Sequence, residues 1–259
     1  GGVPRDDTWA RRPDEPTIIV STVDQVGSRL LFRGYGVSSG MRPVHAGLLG
    51  TDSLYLLDEV HLSRPFAQTL TALTTRAATG GAPARLGVVE MSATPGAAVD
   101  TPPFRLGAAD RDPVTAAPLA RRMSAVKHLR TMPPLSATTA AALGRQVADV
   151  AAKVDAQTVA VVVNRVATAR ATAAALRDRI ERRGGTVLLL TGRMRPLDRD
   201  AALHGHDRWL RDRASRDPDG PPLVVVATQS IEAGADFDFD AMVTECPSLD
   251  ALQQRLGRV

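Results

Sequence analysis

The sequence predicts an α/β fold built on mostly parallel sheets, and three features of its 259 residues lead there. Short β-rich runs recur along the chain. Longer amphipathic segments separate them. The runs are apolar on consecutive residues, so both faces of each strand are buried, as in a parallel sheet with helices on both sides. Strands are expected at Thr17–Ser21, Ser53–Leu57, Leu86–Met91, Val159–Val163, Thr186–Leu190, Leu223–Ala227 and Ala241–Glu245. Between them, helical periodicity marks Val23–Phe32, Pro65–Thr79, Thr138–Lys153, Ala167–Arg183 and Pro196–Arg213. The stretch Gly96–Pro134 breaks the rhythm with Pro102-Pro103, Pro113, Pro118 and Pro133-Pro134, and marks a boundary between domains. Asp212–Pro222 reads as an exposed turn, and Gly1–Pro16 as poorly ordered.

Composition narrows the class. A hydrophobic fraction of 44% with 23% charged residues builds a real core and excludes disorder for most of the chain. The longest apolar runs (Leu54–Leu57, Val159–Val163, Leu223–Ala227) are far too short to cross a bilayer, and no signal peptide is recognisable. Cys246 is the one cysteine, which excludes an intrachain disulfide and a multi-cysteine zinc site. The chain reads as cytoplasmic. Its net charge is +4, and only Lys127 and Lys153 are lysines among the 32 basic residues. That arginine bias fits GC-rich coding as well as phosphate contact, so the balance alone decides nothing.

The sharpest chemical feature is Leu54-Tyr55-Leu56-Leu57-Asp58-Glu59-Val60-His61. A buried strand delivers two adjacent carboxylates at its carboxyl end, where ligands bind in open α/β sheets. The pair suits a nucleoside triphosphate with Mg²⁺: Asp58 holds the metal through water, and Glu59 orients and deprotonates the attacking water. Another apolar strand ends in Met91-Ser92-Ala93-Thr94-Pro95-Gly96, where Ser92 and Thr94 are hydroxyls able to bridge to the acidic loop. A third runs through Val226 and Ala227 into Thr228-Gln229-Ser230-Ile231-Glu232-Ala233-Gly234-Ala235-Asp236. Last come Gln253-Gln254-Arg255-Leu256-Gly257-Arg258-Val259, where the arginines flanking Gly257 can reach phosphate.

In order and spacing these segments resemble the motor core of superfamily 2 helicases. Asp58-Glu59-Val60-His61 resembles the DExH box, Ser92-Ala93-Thr94 motif III, Thr228–Asp236 motif V, and Gln254–Arg258 motif VI. Within that superfamily the chain is most similar to the helicase–nuclease of type I CRISPR systems. Ser21–Val26, the segment into Gly47-Leu48-Leu49, Ala227-Thr228-Gln229 and Asp236–Asp240 carry that similarity. The likeness runs from about Ile18 to Val259. It implies two RecA-like lobes, both incomplete, over residues 1–125 and 126–259, with ATP and Mg²⁺ as cofactors.

By the same resemblance, Asp58, Glu59 and His61 act at the phosphates from one lobe, and Gln254 and Arg258 from the other. Gly234, Asp236 and Arg255 belong to the nucleotide site, with Asp236 near the ribose. Ser92 and Thr94 couple the nucleotide to the strand grip. Thr22, Gln25 and Thr228 match positions that hold the DNA backbone, and Arg165 and Arg193 are candidate second-lobe phosphate contacts. Closure on ATP and opening after hydrolysis would move single-stranded DNA by steps, with a CRISPR surveillance complex as the partner.

Two departures stand out. No G-x-x-x-x-G-K-[ST] phosphate loop occurs, and the expected arginine after motif VI would lie beyond Val259, so the sequence reads as an internal piece of a longer protein or as a truncated gene product. Two rival readings follow. One is an ATPase-incompetent module that binds nucleic acid or protein. The other is a metal-dependent nuclease on Asp236, Asp238 and Asp240, which a strand would place on one face. His204 and His206 read as a polar helix face. His206-Asp207 reads as a coincidental doublet, with no HD nuclease domain in the chain.

Overall fold

The computed structural model describes residues 8–80, 85–92, 104, 106–217, 219–231 and 236–259. The chain forms two compact units that divide between residues 105 and 106, ahead of the expected boundary at 125. The turn Ala109–Arg111 and helix Ala117–Ser124 pack on each other in the proline-rich stretch and group with the later unit.

The first unit holds α1 (Thr8–Arg11), α2 (Val23–Leu30), α3 (Met41–Gly50), β1 (Ser53–Leu57), α4 (Arg64–Thr79) and β2 (Leu86–Glu90). β1 and β2 pair in parallel, Ser53 opposite Leu86 and Leu57 opposite Glu90. Parallel neighbours need a crossover, which α4 supplies. Leu30, Leu49, Tyr55, Leu57, Phe66 and Leu70 form the core against one sheet face. The Tyr55 hydroxyl donates to the Leu49 carbonyl at 2.9 Å, and burial pushes its pKa up to about 12. The opposite face differs from expectation, because Leu54 and Leu56 are exposed among the described residues.

The expected strand Thr17–Ser21 is irregular, with Ile18 93% and Val20 95% exposed. Among the described residues no strand lies beside it, and an extended run needs a neighbour to satisfy its backbone.

The second unit holds α5 (Ala117–Ser124), α6 (Ala140–Ala151), β3 (Thr158–Val162), α7 (Val166–Glu181), β4 (Thr186–Leu190), α8 (Pro196–Leu203), α9 (Asp207–Arg211), β5 (Leu223–Ala227), β6 (Ala241–Thr244) and α10 (Leu249–Leu256). Four parallel strands run in the order β4-β5-β3-β6. Here both faces are covered. Val159, Val161, Val224 and Val226 meet α6 and α7, while Ala160, Val162, Val225 and Ala227 meet Leu203, Leu210, Phe237 and Phe239. β3 and β5 are wholly buried, each valine worth roughly 1.5–3 kcal/mol in transfer free energy.

Two glycines shape this unit. A Cβ on Gly144 would sit 2.6 Å from the Ala171 Cβ, so glycine sets the close approach of α6 to α7. Gly205, at φ +82, splits the expected helix Pro196–Arg213 into α8 and α9.

Among the described residues no helix is long and apolar enough to cross a membrane.

Candidate functional site

In the first unit the candidate residues gather where β1 and β2 end. The Met91 amide donates to the Leu57 carbonyl at 2.8 Å, and the Val60 amide to the Met91 carbonyl at 3.0 Å, so the two strand ends leave together. Glu59 then adopts the left-handed conformation, φ 49 and ψ 50, and a 3-10 turn Val60–Leu62 follows. For a non-glycine residue that conformation costs about 1–2 kcal/mol, and here it turns the chain sharply after the strand. Asp58 is exposed, and its Oδ1 accepts the Glu59 amide at 3.0 Å. His61 Nδ1 lies 3.0 Å from Ser92 Oγ and 3.4 Å from Glu59 Oε2. Residues separated by 31 positions thus meet, and the structure brings Asp58, Glu59, His61 and Ser92 to one strand-end loop. Thr94 lies outside the described residues.

Thr22 and Gln25 share the first turn of α2. Thr22 is its exposed N-cap, with a hydroxyl that makes no capping bond. The Gln25 side-chain carbonyl accepts from Arg29 Nη1 at 2.7 Å.

In the second unit the carboxyl ends of the parallel strands collect the candidates. Exposed Arg165 follows β3 and caps α7, exposed Arg193 follows β4, and buried Thr228 follows β5. The Thr228 amide and the Ser230 hydroxyl both donate to the Leu190 carbonyl at 3.2 Å, tying the turn after β5 to the end of β4. Gly234 lies outside the described residues, and Asp236 is exposed.

On and just after α10, Gln254 and Arg258 are half-buried. Arg255, expected at the nucleotide, is fully buried. Its Nη1 donates to Thr244 Oγ1 at 2.5 Å and to the Glu245 carbonyl at 3.0 Å, and its Nη2 to Asn164 Oδ1 at 3.1 Å. Arg255 therefore straps α10 to the ends of β3 and β6.

The acidic run also departs from expectation. Residues 236–240 are not a strand, so Asp236, Asp238 and Asp240 do not line one strand face. Asp238 Oδ1 pairs with Arg213 at 2.9 Å, and Asp240 Oδ1 with Arg216 at 2.7 Å. Asp240 Oδ2 accepts the Thr158 amide at 3.0 Å and the Thr158 hydroxyl at 2.7 Å. Burial alone would raise the Asp240 pKa. The Thr158 hydrogen bonds and the Arg216 and Arg213 charges outweigh it and hold the carboxyl below its ordinary value. Arginines occupy two of the three carboxylates that a metal nuclease would need, Asp238 and Asp240, and among the described residues no group of three or more His, Cys, Asp and Glu could hold a metal ion. Thr158, Asn164, Arg213 and Arg216 were invisible to sequence reasoning. A polar loop rich in arginine carries no mark of which guanidinium turns inward.

Comparison with known proteins places this second unit. Residues 155–259 match the family of the C-terminal part of the CRISPR-associated nuclease/helicase Cas3. A curated Cas3 from Methanothermobacter thermautotrophicus is 48% identical over 44 residues, 17% of this chain and 5% of that protein. The crystal structure of T. fusca Cas3 covers 84% of this chain and 28% of its own, at 18% identity and TM-score 0.53. That likeness shows the fold, mixed α/β with RecA-like lobes. The chain spans a small part of the relatives that it matches. Its Cas3-like segment begins just before β3 and runs through α10.

Proposed function

We propose that the chain is the helicase-core part of an ATP-dependent, DNA-translocating CRISPR-associated helicase–nuclease that acts against foreign DNA. One observation supports the reading: the segments after two strand ends join through His61 and Ser92, which are 31 residues apart, beside Asp58 and Glu59. An accidental Asp-Glu pair has no reason to sit against a second strand-end hydroxyl through a histidine.

The exposed Asp58 carboxylate fits a water-mediated contact to Mg²⁺, since Oδ1 takes the Glu59 amide and Oδ2 is left to a metal-bound water. Mg²⁺ held there would supply charge neutralisation at the phosphates. Glu59 orients the attacking water. Its left-handed backbone sets the carboxylate toward His61, and His61 transmits its position to Ser92. From the second lobe Gln254 and Arg258 act on the phosphates, with Gly234 and Asp236 at the nucleotide. Thr22 and Gln25 at the α2 N-terminus, and Arg165, Arg193 and Thr228 at the strand ends, hold the backbone of single-stranded DNA. A CRISPR surveillance complex would present that DNA.

In a protein that carries this chain with a phosphate loop, Glu59→Gln should keep ATP affinity and lose most DNA-stimulated turnover. Undiminished turnover would sink the assignment. A second reading, a module that binds nucleic acid without hydrolysis, is favoured by the absence of a phosphate-loop sequence in the 259 residues. The same assay separates the two.

A further inference from the structure

The segment Asp236–Asp240 leaves motif V and enters β6, and it is pinned from several sides. The Asp238 amide donates to the Leu210 carbonyl at 2.7 Å, at the end of α9. Arg216, with a side chain only 4% exposed, donates Nε to the Trp209 carbonyl at 2.9 Å, Nη1 to Asp240, and Nη2 to the Asp238 carbonyl. Arg213 Nη2 reaches both Asp238 Oδ1 and the Phe239 carbonyl, each at 2.9 Å. Between these anchors the Phe239 side chain is fully buried, and its amide donates to the Arg258 carbonyl at 2.7 Å. One short segment therefore carries Asp236 at its start and fixes the backbone of Arg258 from its middle.

We infer that Arg213 and Arg216 are positioning residues, which clamp the Asp236–Asp240 segment so that Asp236 and Arg258 keep a fixed relation. The inference rests on the motor reading above, in which those two residues serve the nucleotide. A buried guanidinium bonded to two backbone carbonyls and a carboxylate costs more to desolvate than packing there requires, whereas it holds geometry firmly. The Arg213–Asp238 ion pair by itself adds little to folding stability, because its two side chains are 55% and 39% exposed. Geometry is where its loss should register, since a displacement of about 1 Å in a catalytic group can cost about a hundredfold in rate.

The test has two arms. In the 259-residue chain, hydrogen exchange at the Phe239 amide should accelerate at least about tenfold in Arg213→Ala, with the melting temperature within a few degrees of the parent. Arg216→Gln should accelerate the same amide further. In the protein carrying a phosphate loop, Arg213→Ala should lower kcat about tenfold and change KM for ATP less than about twofold. Arg213→Lys, which keeps one donor for the Phe239 carbonyl, should recover at least about half of the parent kcat. An unchanged kcat in Arg213→Ala, beside a large loss in Arg258→Ala, overturns the clamp and leaves the motor reading standing. Full turnover in Arg258→Ala overturns that reading's use of Arg258, and the clamp's catalytic purpose with it. Unaltered exchange at Phe239 overturns the clamp by itself.

Discussion

Buried polar groups decide the residue scale. Arg255→Ala would strip at least three charge-assisted hydrogen bonds from the ends of β3 and β6, each worth about 1.5–3 kcal/mol. Urea unfolding should show a loss of at least about 3 kcal/mol, with the m value unchanged if the fold survives. Tyr55 offers a pH test. Its folded pKa of about 12 lies above the ordinary tyrosine value of 10.0, so its contribution is fully present below pH 10 and is lost as pH rises toward 12. Melting across that window should fall more steeply for the parent than for Tyr55→Phe, and identical slopes would count against the buried phenol. Asp58, Glu59, His61 and Ser92 were legible in the sequence, because a buried strand ending in a carboxylate pair has a signature in residue type and spacing. Arg255 was legible as part of motif VI but not as a strut. Arg213 and Arg216 were not legible at all, because sequence does not say which of many arginines meets a carbonyl from a distant loop.

Elements followed their hydrophobic pattern closely, and the departures have local causes. β1, β4 and β5 fall on the expected residues, and the other three paired strands agree to within a residue. α3 and α10 escaped notice. α3 contains Pro43, Gly47 and Gly50, and its buried set is only His45, Ala46 and Leu49. α10 has eight residues, too few for a helical period to stand out. α5 was hidden in a proline-rich stretch, where Pro118 in fact occupies the first helical turn. Two glycine substitutions should separate packing from propensity. Gly144→Ala pushes a Cβ into Ala171 and the Thr172 amide, and should destabilise by about 1–3 kcal/mol. Gly47→Ala meets nothing within 4 Å at an exposed position of α3, and should stabilise by about 0.5–1 kcal/mol. Thermal melts of the two variants should shift in opposite directions. A shared direction would refute the packing account of α6 and α7.

At the scale of the whole molecule, each unit carries its own core and its own share of strand-end residues. In the proposed reading, hydroxyl, amide and arginine groups at Thr22, Gln25, Arg165, Arg193 and Thr228 would direct binding to the DNA backbone. Affinity for single-stranded DNA should fall linearly with log salt, at roughly 0.7 per phosphate neutralised, with little dependence on sequence. Salt-insensitive binding would contradict that. Nucleotide turnover is another matter, because the 259 residues contain strand-end carboxylates but no G-x-x-x-x-G-K-[ST]. Backbone amides and a lysine in that loop cradle the phosphates, and losing them removes several charge-assisted hydrogen bonds at about 1.5–3 kcal/mol each. The most direct measurement is phosphate release with saturating single-stranded DNA and Mg²⁺, from the 259-residue chain and from a protein carrying it with a phosphate loop. The account predicts no turnover from the first, and from the second DNA-stimulated turnover that Asp58→Ala abolishes. Robust release by the 259-residue chain alone, lost in its own Asp58→Ala variant, would contradict it.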